Sequence, residues 1–170
     1  SIHGTAYEYR IGTGAWTSLA TLPGFTLGSS TTFTLTSLTN GSTYSITLRA
    51  VNSAGTGAIS AAASGTPVTT PSAPTITAVA PLDGALQVTF TAPSSTGGSA
   101  ILGYQYRLNS GSWITLPSSA SLTTFTISGL ANGTPYQVSL RALNGRGQGL
   151  SHTFATNVGP GTAPDAPTIS

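Results

Sequence analysis

Apolar residues in this chain alternate with Thr, Ser and other polar residues in short runs separated by Gly, Pro, Asn and Asp. A period of two puts successive side chains on opposite faces of an extended backbone, so each run predicts a half-buried β-strand. The middle of the chain reads most completely. Residues 75–79 predict a first strand, and Asp83-Gly84 turns it into a second whose Leu86, Val88 and Phe90 point one way. A third strand directs Tyr104, Tyr106 and Leu108 inward, and a turn at Asn109-Ser110-Gly111 leads to a short strand carrying Trp113. Phe125 and Ile127 mark a fifth strand, and Tyr136, Val138, Leu140 and Ala142 a sixth. The Gly-rich segment from Asn144 to Gly149 returns the chain as a seventh. Short strands at this spacing predict an all-β antiparallel sandwich, not a helical or α/β fold.

The pattern occurs twice. Tyr7-Glu8-Tyr9-Arg10 with Trp16 returns as Tyr104-Gln105-Tyr106-Arg107 with Trp113, an offset of 97. Phe33, Leu38, Asn40-Gly41, Tyr44 and Leu48-Arg49-Ala50 return as Phe125, Leu130, Asn132-Gly133, Tyr136 and Leu140-Arg141-Ala142, an offset of 92. Copy 1 therefore carries five extra residues between Trp16 and Phe33. Pro71-Ser72-Ala73-Pro74 is echoed by Pro164-Asp165-Ala166-Pro167, the start of a third copy.

These residues resemble the fibronectin type III module, especially the Ser/Thr-rich versions of bacterial secreted and surface proteins. The most specific element is Leu-x-Asn-Gly-x-x-Tyr followed by Ala-x-Asn: Leu38 to Tyr44 with Asn52, and Leu130 to Tyr136 with Asn144. The resemblance implies tandem seven-stranded immunoglobulin-like sandwiches. It also implies that Tyr44 and Tyr136 form tyrosine corners, their hydroxyls bonding back to backbone near Leu38 and Leu130. Phe90 stands where the family usually has Trp, which should alter core packing and leave the fold intact.

The offsets predict three parts. Residues 1–68 are a module lacking its first two strands, 69–160 a complete module, and 161–170 a linker with the start of a third. Prolines in both linkers favour extended backbone and a semi-rigid string of modules. A sandwich without two strands exposes its inner face. Either those strands belong to a longer chain, or another chain supplies them by β-addition, with the start of copy 3 a donor candidate for the first strand only.

Composition narrows the setting. The 170 residues include 21 Gly, 11 Pro, no Cys and no Met, and lack Lys altogether. Without Met the chain is expected to be a processed product or a piece of a longer one, and no signal peptide is expected ahead of Ser1. The absence of Cys excludes disulfides and thiolate metal sites. The net charge of +2 comes from five scattered arginines against three acids, so nucleic acid is not an expected partner. No run of ten apolar residues is present, so no membrane insertion is expected.

Candidate chemistry is sparse. His3, His152, Glu8, Asp83 and Asp165 fall at different ends of different modules, which predicts no catalytic triad, no metal site and no cofactor. Asn40-Gly41-Ser42 and Asn132-Gly133-Thr134 fit the glycosylation acceptor pattern but read first as tight turns. One constellation remains. Arg10 and Arg107 sit on the third strand of each copy and Arg49 and Arg141 on the sixth, all turned outward by alternation, with Trp16 and Trp113 across the hairpin. Each copy is expected to show an Arg-Trp-Arg patch on one sheet face, a candidate contact surface for a sugar ring or a neighbouring module.

The resulting expectation is a non-catalytic structural or adhesive segment of a long secreted bacterial surface protein, such as an extracellular filament or envelope layer. Its partners would be neighbouring copies or adjacent modules, with polysaccharide as a second class, and its place extracellular or at the cell surface. The alternatives are an accessory spacer or weak carbohydrate-binding module of a polysaccharide-degrading enzyme, and a decoration of a virus tail or capsid.

Overall fold

The computed structural model describes residues 6–117 and 121–162, and the chain divides into two compact units, Ser1–Pro67 and Val68–Ser170.

Unit 1 contains strands β1 (Ala6–Ile11), β2 (Thr17–Ser18), β3 (Tyr44–Asn52), β4 (Gly55–Ile59) and β5 (Ala63–Gly65), with one 3-10 turn at Leu19–Thr21. They form a single antiparallel sheet in the order β2-β1-β3-β4, with β5 also paired to β3. The β1 chain leaves its strand through Gly12, at φ +56°, whose amide donates to Ser45 O. The equivalent position in the second copy is Asn109, at φ +52°. These are the residue types that tolerate a left-handed backbone at a turn.

Unit 2 contains β6 (Thr75–Leu82), β7 (Ala85–Thr91), β8 (Ile101–Leu108), β9 (Ile114–Thr115), β10 (Thr124–Ser128), β11 (Val138–Asn144) and β12 (Gly147–Thr153). One sheet has the order β10-β7-β6 and the other β12-β11-β8-β9. Their facing sides enclose the core: Ile76, Leu86, Val88, Phe90, Tyr104, Phe125, Ile127, Val138, Leu140 and Ala142 are all buried. Phe90 packs edge-to-face on Tyr104 and Phe125, with centroids 4.8 and 6.0 Å apart, and Tyr106 lies 5.4 Å from Phe125. Burying each such side chain contributes roughly 1.5–3 kcal/mol.

Two boundaries differ from the pattern. The first strand runs on to Leu82 and includes Pro81. It lies at the edge of its sheet and pairs only with β7, so the N–H that Pro81 lacks is not needed there. Tyr136 stands ahead of β11, joined to Val158 by a single bridge. Between them Asn109 Oδ1 takes the Gln137 N–H at 2.9 Å and interrupts the ladder.

Among the described residues of unit 1 one sheet is present. Residues 32–36, the counterpart of β10, form no strand. In unit 2 β10 has one partner, β7, and among the described residues of unit 1 no strand stands in that place beside residues 32–36. Among the described residues of unit 1 only Leu19 is a buried hydrophobic, and Tyr7 is 43% exposed. Phe33 lies 6.0 Å from Tyr9, and an open groove of about 280 Å³ is lined by Tyr7, Leu19, Phe25, Phe33 and Leu48.

Candidate functional site

Strand pairing assembles the arginine–tryptophan constellation in each unit. In unit 1, β1 and β3 lie side by side with Glu8 opposite Arg49 and Arg10 opposite Thr47. Trp16 enters from the segment just before β2, which pairs with β1. The guanidinium carbons of Arg10 and Arg49 sit 4.8 and 4.2 Å from the Trp16 ring centroid. In unit 2, β8 and β11 place Gln105 opposite Arg141 and Arg107 opposite Ser139. Arg107 and Arg141 lie 4.8 and 4.2 Å from the Trp113 centroid. The structure thus brings all six residues together as two triads of the same geometry. An indole engaged by a guanidinium at an exposed site is worth about 0.5–1 kcal/mol.

The partners of the arginines differ. Arg49 binds Glu8 through Nη2 at 2.6 Å and through Nε at 2.7 Å, and Arg10 Nε donates to Thr47 Oγ1 at 3.2 Å. In unit 2 Arg141 Nε donates to Gln105 Oε1 at 2.9 Å, and Arg107 Nε is buried without a hydrogen-bond partner. Desolvation, and then the nearby charge of Arg107, hold the Arg141 guanidinium below the usual arginine pKa.

Both repeated tyrosines fold back on the chain. Tyr44 Oη accepts from Thr39 N at 2.9 Å, and Tyr136 Oη from Ala131 N at 3.3 Å, in each case the residue after the motif Leu, Leu38 or Leu130. The donated amide lowers the Tyr44 phenol pKa from its ordinary value. The family model described as fibronectin type III domain matches residues 2–66 and again 70–158. The chain belongs to the fibronectin type III family.

Among curated proteins, these two fibronectin type III modules are similar to neural cell adhesion molecule 1. The chicken (Gallus gallus) protein is 38% identical over 110 residues, 59% of this chain and 10% of that protein. The rat (Rattus norvegicus) protein is 35% identical over 108 residues, and the bovine (Bos taurus) protein 34% over 108, each covering 59% of this chain and 13% of the relative. The chain therefore spans only about a tenth of the length of the curated relatives it matches. These relatives are vertebrate, not bacterial. Among solved structures, the crystal structure of chicken CNTN1 FN1-FN3 domains is similar at 18% identity and a TM-score of 0.47, covering 92% of this chain and 55% of that one.

The fibronectin fold engages most of the other candidate groups structurally. Asp83 Oδ1 accepts from Asn132 Nδ2 at 2.8 Å, while Asn132 Oδ1 accepts from Gly84 N at 2.8 Å, so that side chain clamps the β6–β7 turn. Gly41 and Gly133 supply the positive φ of the Asn-Gly turns, at +83° and +75°. His152 Nδ1 accepts from Ile76 N at 3.3 Å, linking β12 to the start of β6. His3 and Asp165 lie outside the described residues. Among the described residues no three His, Asp or Glu side chains converge.

One residue matters more than its motif suggests. Asn144 is buried, donates to Thr69 O and Thr96 O at 2.8 Å each, and accepts from Arg146 N and Gly147 N at 2.8 and 3.2 Å. It ties the entry of unit 2, the β7–β8 loop and the β11–β12 turn together. Its counterpart Asn52 is exposed and accepts only from Ala54 N, at 2.8 Å. The signal was the recurrence of Asn at the end of the sixth strand, but the pattern carries no information about which distant carbonyls meet it.

Proposed function

We propose that the chain is a non-catalytic adhesive and structural segment of a longer protein displayed outside the cell or at its surface. The observation that carries this reading is the same outward Arg-Trp-Arg cluster on the matching sheet of both modules. All six residues are half-buried and none belongs to the buried hydrophobic core, and a repeated outward cluster gives neighbouring modules or copies a regular contact face. The relatives that share the modules are named as cell adhesion molecules. The described carboxylate and imidazole side chains are committed to the fold, Glu8 to Arg49, Asp83 to Asn132 and His152 to Ile76, which supports a binding role over a catalytic one.

The finer form of the proposal is a repeat of a bacterial filament or envelope layer. It rests on composition: a Ser/Thr-rich surface with few charges and no Cys or Met packs against copies of itself with little dependence on pH, salt or oxidation.

Microspheres coated with the chain test the reading. Clustering of wild-type beads, lost in the Trp16→Ala, Trp113→Ala double variant with unchanged circular dichroism, supports it. Clustering equal in both, or absent in the wild type, refutes it. Electron microscopy of concentrated chain tests the filament form, which predicts ordered arrays.

A further inference from the structure

The two clusters share a geometry and differ in charge. In unit 1 Glu8 neutralises Arg49, and the Thr47 hydroxyl takes Arg10 Nε. In unit 2 the position of Glu8 is occupied by Gln105, a neutral acceptor. Asp83, the one acid among the described residues of unit 2, is held by Asn132 at the β6–β7 turn. Ser139, the counterpart of Thr47, shares its hydrogen bond with Thr153 Oγ1 at 2.9 Å, and Arg107 Nε is left without a partner. Among the described residues, two guanidiniums therefore share one indole with no carboxylate to balance them.

We infer that the outer face of unit 2 around Arg107, Trp113 and Arg141 binds the sulfate or carboxylate groups of an anionic polysaccharide, and that the matching face of unit 1 does not. The inference rests on the reading of these faces as contact surfaces. Guanidinium forks match carboxylate and sulfate geometry, and stacking on Trp113 fixes their direction. A sugar chain suits the surroundings better than an acidic peptide for two reasons. The arginines stand on β8 and β11, the inner strands of the β12-β11-β8-β9 sheet, where no free edge can pair with peptide backbone. The neighbouring groups are amide and hydroxyl, Gln105 donating to Thr115 Oγ1 at 3.0 Å and the exposed Thr153, whose partner Ser139 is buried beneath it, and Gln105, Thr115 and Thr153 can exchange hydrogen bonds with sugar hydroxyls.

The test is affinity electrophoresis of the full chain in gels containing dextran sulfate, polygalacturonate, uncharged dextran or polyglutamate, with mobility normalised to the dextran gel. Retardation by dextran sulfate, polygalacturonate or both is expected, and the two arms separate sulfate from carboxylate recognition. Gln105→Glu installs the arrangement of unit 1 and should weaken retention about fivefold. Glu8→Gln should strengthen it by opening a second site. Arg146→Gln, an equal charge change on the β11–β12 turn, should alter retention less than about twofold.

Absence of retardation by both anionic polysaccharides overturns the inference. So do retention unchanged in Gln105→Glu, a loss as large in Arg146→Gln, and equal retention by polyglutamate, which would indicate an acidic protein partner. Bead clustering that depends on the tryptophans, together with retention indifferent to Gln105→Glu, overturns the inference and leaves the contact-face reading standing. Clustering indifferent to the tryptophans, with retention lost in Gln105→Glu, does the reverse.

Discussion

Replacing Asn144 by Ala removes four hydrogen bonds at once from a side chain that is 4% exposed. Each bond contributes about 0.5–1.5 kcal/mol net, and the carbonyls of Thr69 and Thr96 regain water on the surface side. The turn amides of Arg146 and Gly147 regain it as well, which places the expected cost near the lower half of the sum, about 3 kcal/mol. Each unit holds one tryptophan, so urea unfolding followed by fluorescence in a Trp16→Phe background reports unit 2 through Trp113 alone. With a slope of about 1 kcal/mol per molar urea, the midpoint should fall by about 3 M. Asn52→Ala removes one exposed bond and, in a Trp113→Phe background, should move the Trp16 signal by less than about 0.5 M. A fall of less than about 1 M for Asn144→Ala, or an equal shift for Asn52→Ala, would refute the claim that this clamp holds the three segments together.

Three further outcomes follow from the same geometry. Tyr104 Oη is buried without a hydrogen-bond partner, so Tyr104→Phe should leave unit 2 as stable or more stable by up to about 1 kcal/mol at neutral pH, measured by urea unfolding. Burial pushes the Tyr104 phenol above its ordinary 10.0, so the unfolded state releases that proton first. Its contribution is therefore intact below pH 10.0 and lost as pH rises through the folded value, a decline that Tyr104→Phe should remove and that alkaline titration of the urea midpoint would detect. Gly149→Ala would bring a Cβ to 2.5 Å from Pro71 O and should destabilise unit 2 by about 2 kcal/mol, whereas at Gly57 the nearest atom is 3.4 Å away and the same change should cost under about 1 kcal/mol. Tyr136→Phe deletes the acceptor of the Ala131 N–H and should lower unit 2 stability by about 1 kcal/mol in the same unfolding assay, while an unchanged midpoint would argue that the corner is ornamental to stability.

The sequence alone determined the local features. Alternation set the inward faces of β7, β8, β10 and β11, because the pleat sends successive side chains to opposite sides whatever the strand later pairs with. Repeat offsets placed Arg10, Arg49, Arg107 and Arg141 on matching strands beside Trp16 and Trp113, since strand order in the sandwich brings the third and sixth strands together. Pairing at a distance was decided only in the tertiary structure. Residues 32–36 of unit 1, the counterpart of β10, form no strand although they alternate as well as β10 itself, because alternation sets the faces and a ladder also needs a partner strand, which the described residues of unit 1 do not provide. Asn144 became a clamp because carbonyls 48 and 75 residues away converge on it, whereas among the described residues Asn52 meets only the Ala54 N–H of its own turn. The charge imbalance between the clusters was visible as Glu8 against Gln105. Its consequence required knowing which hydroxyl turns toward Arg10 and away from Arg107, and the packing around each side chain sets that.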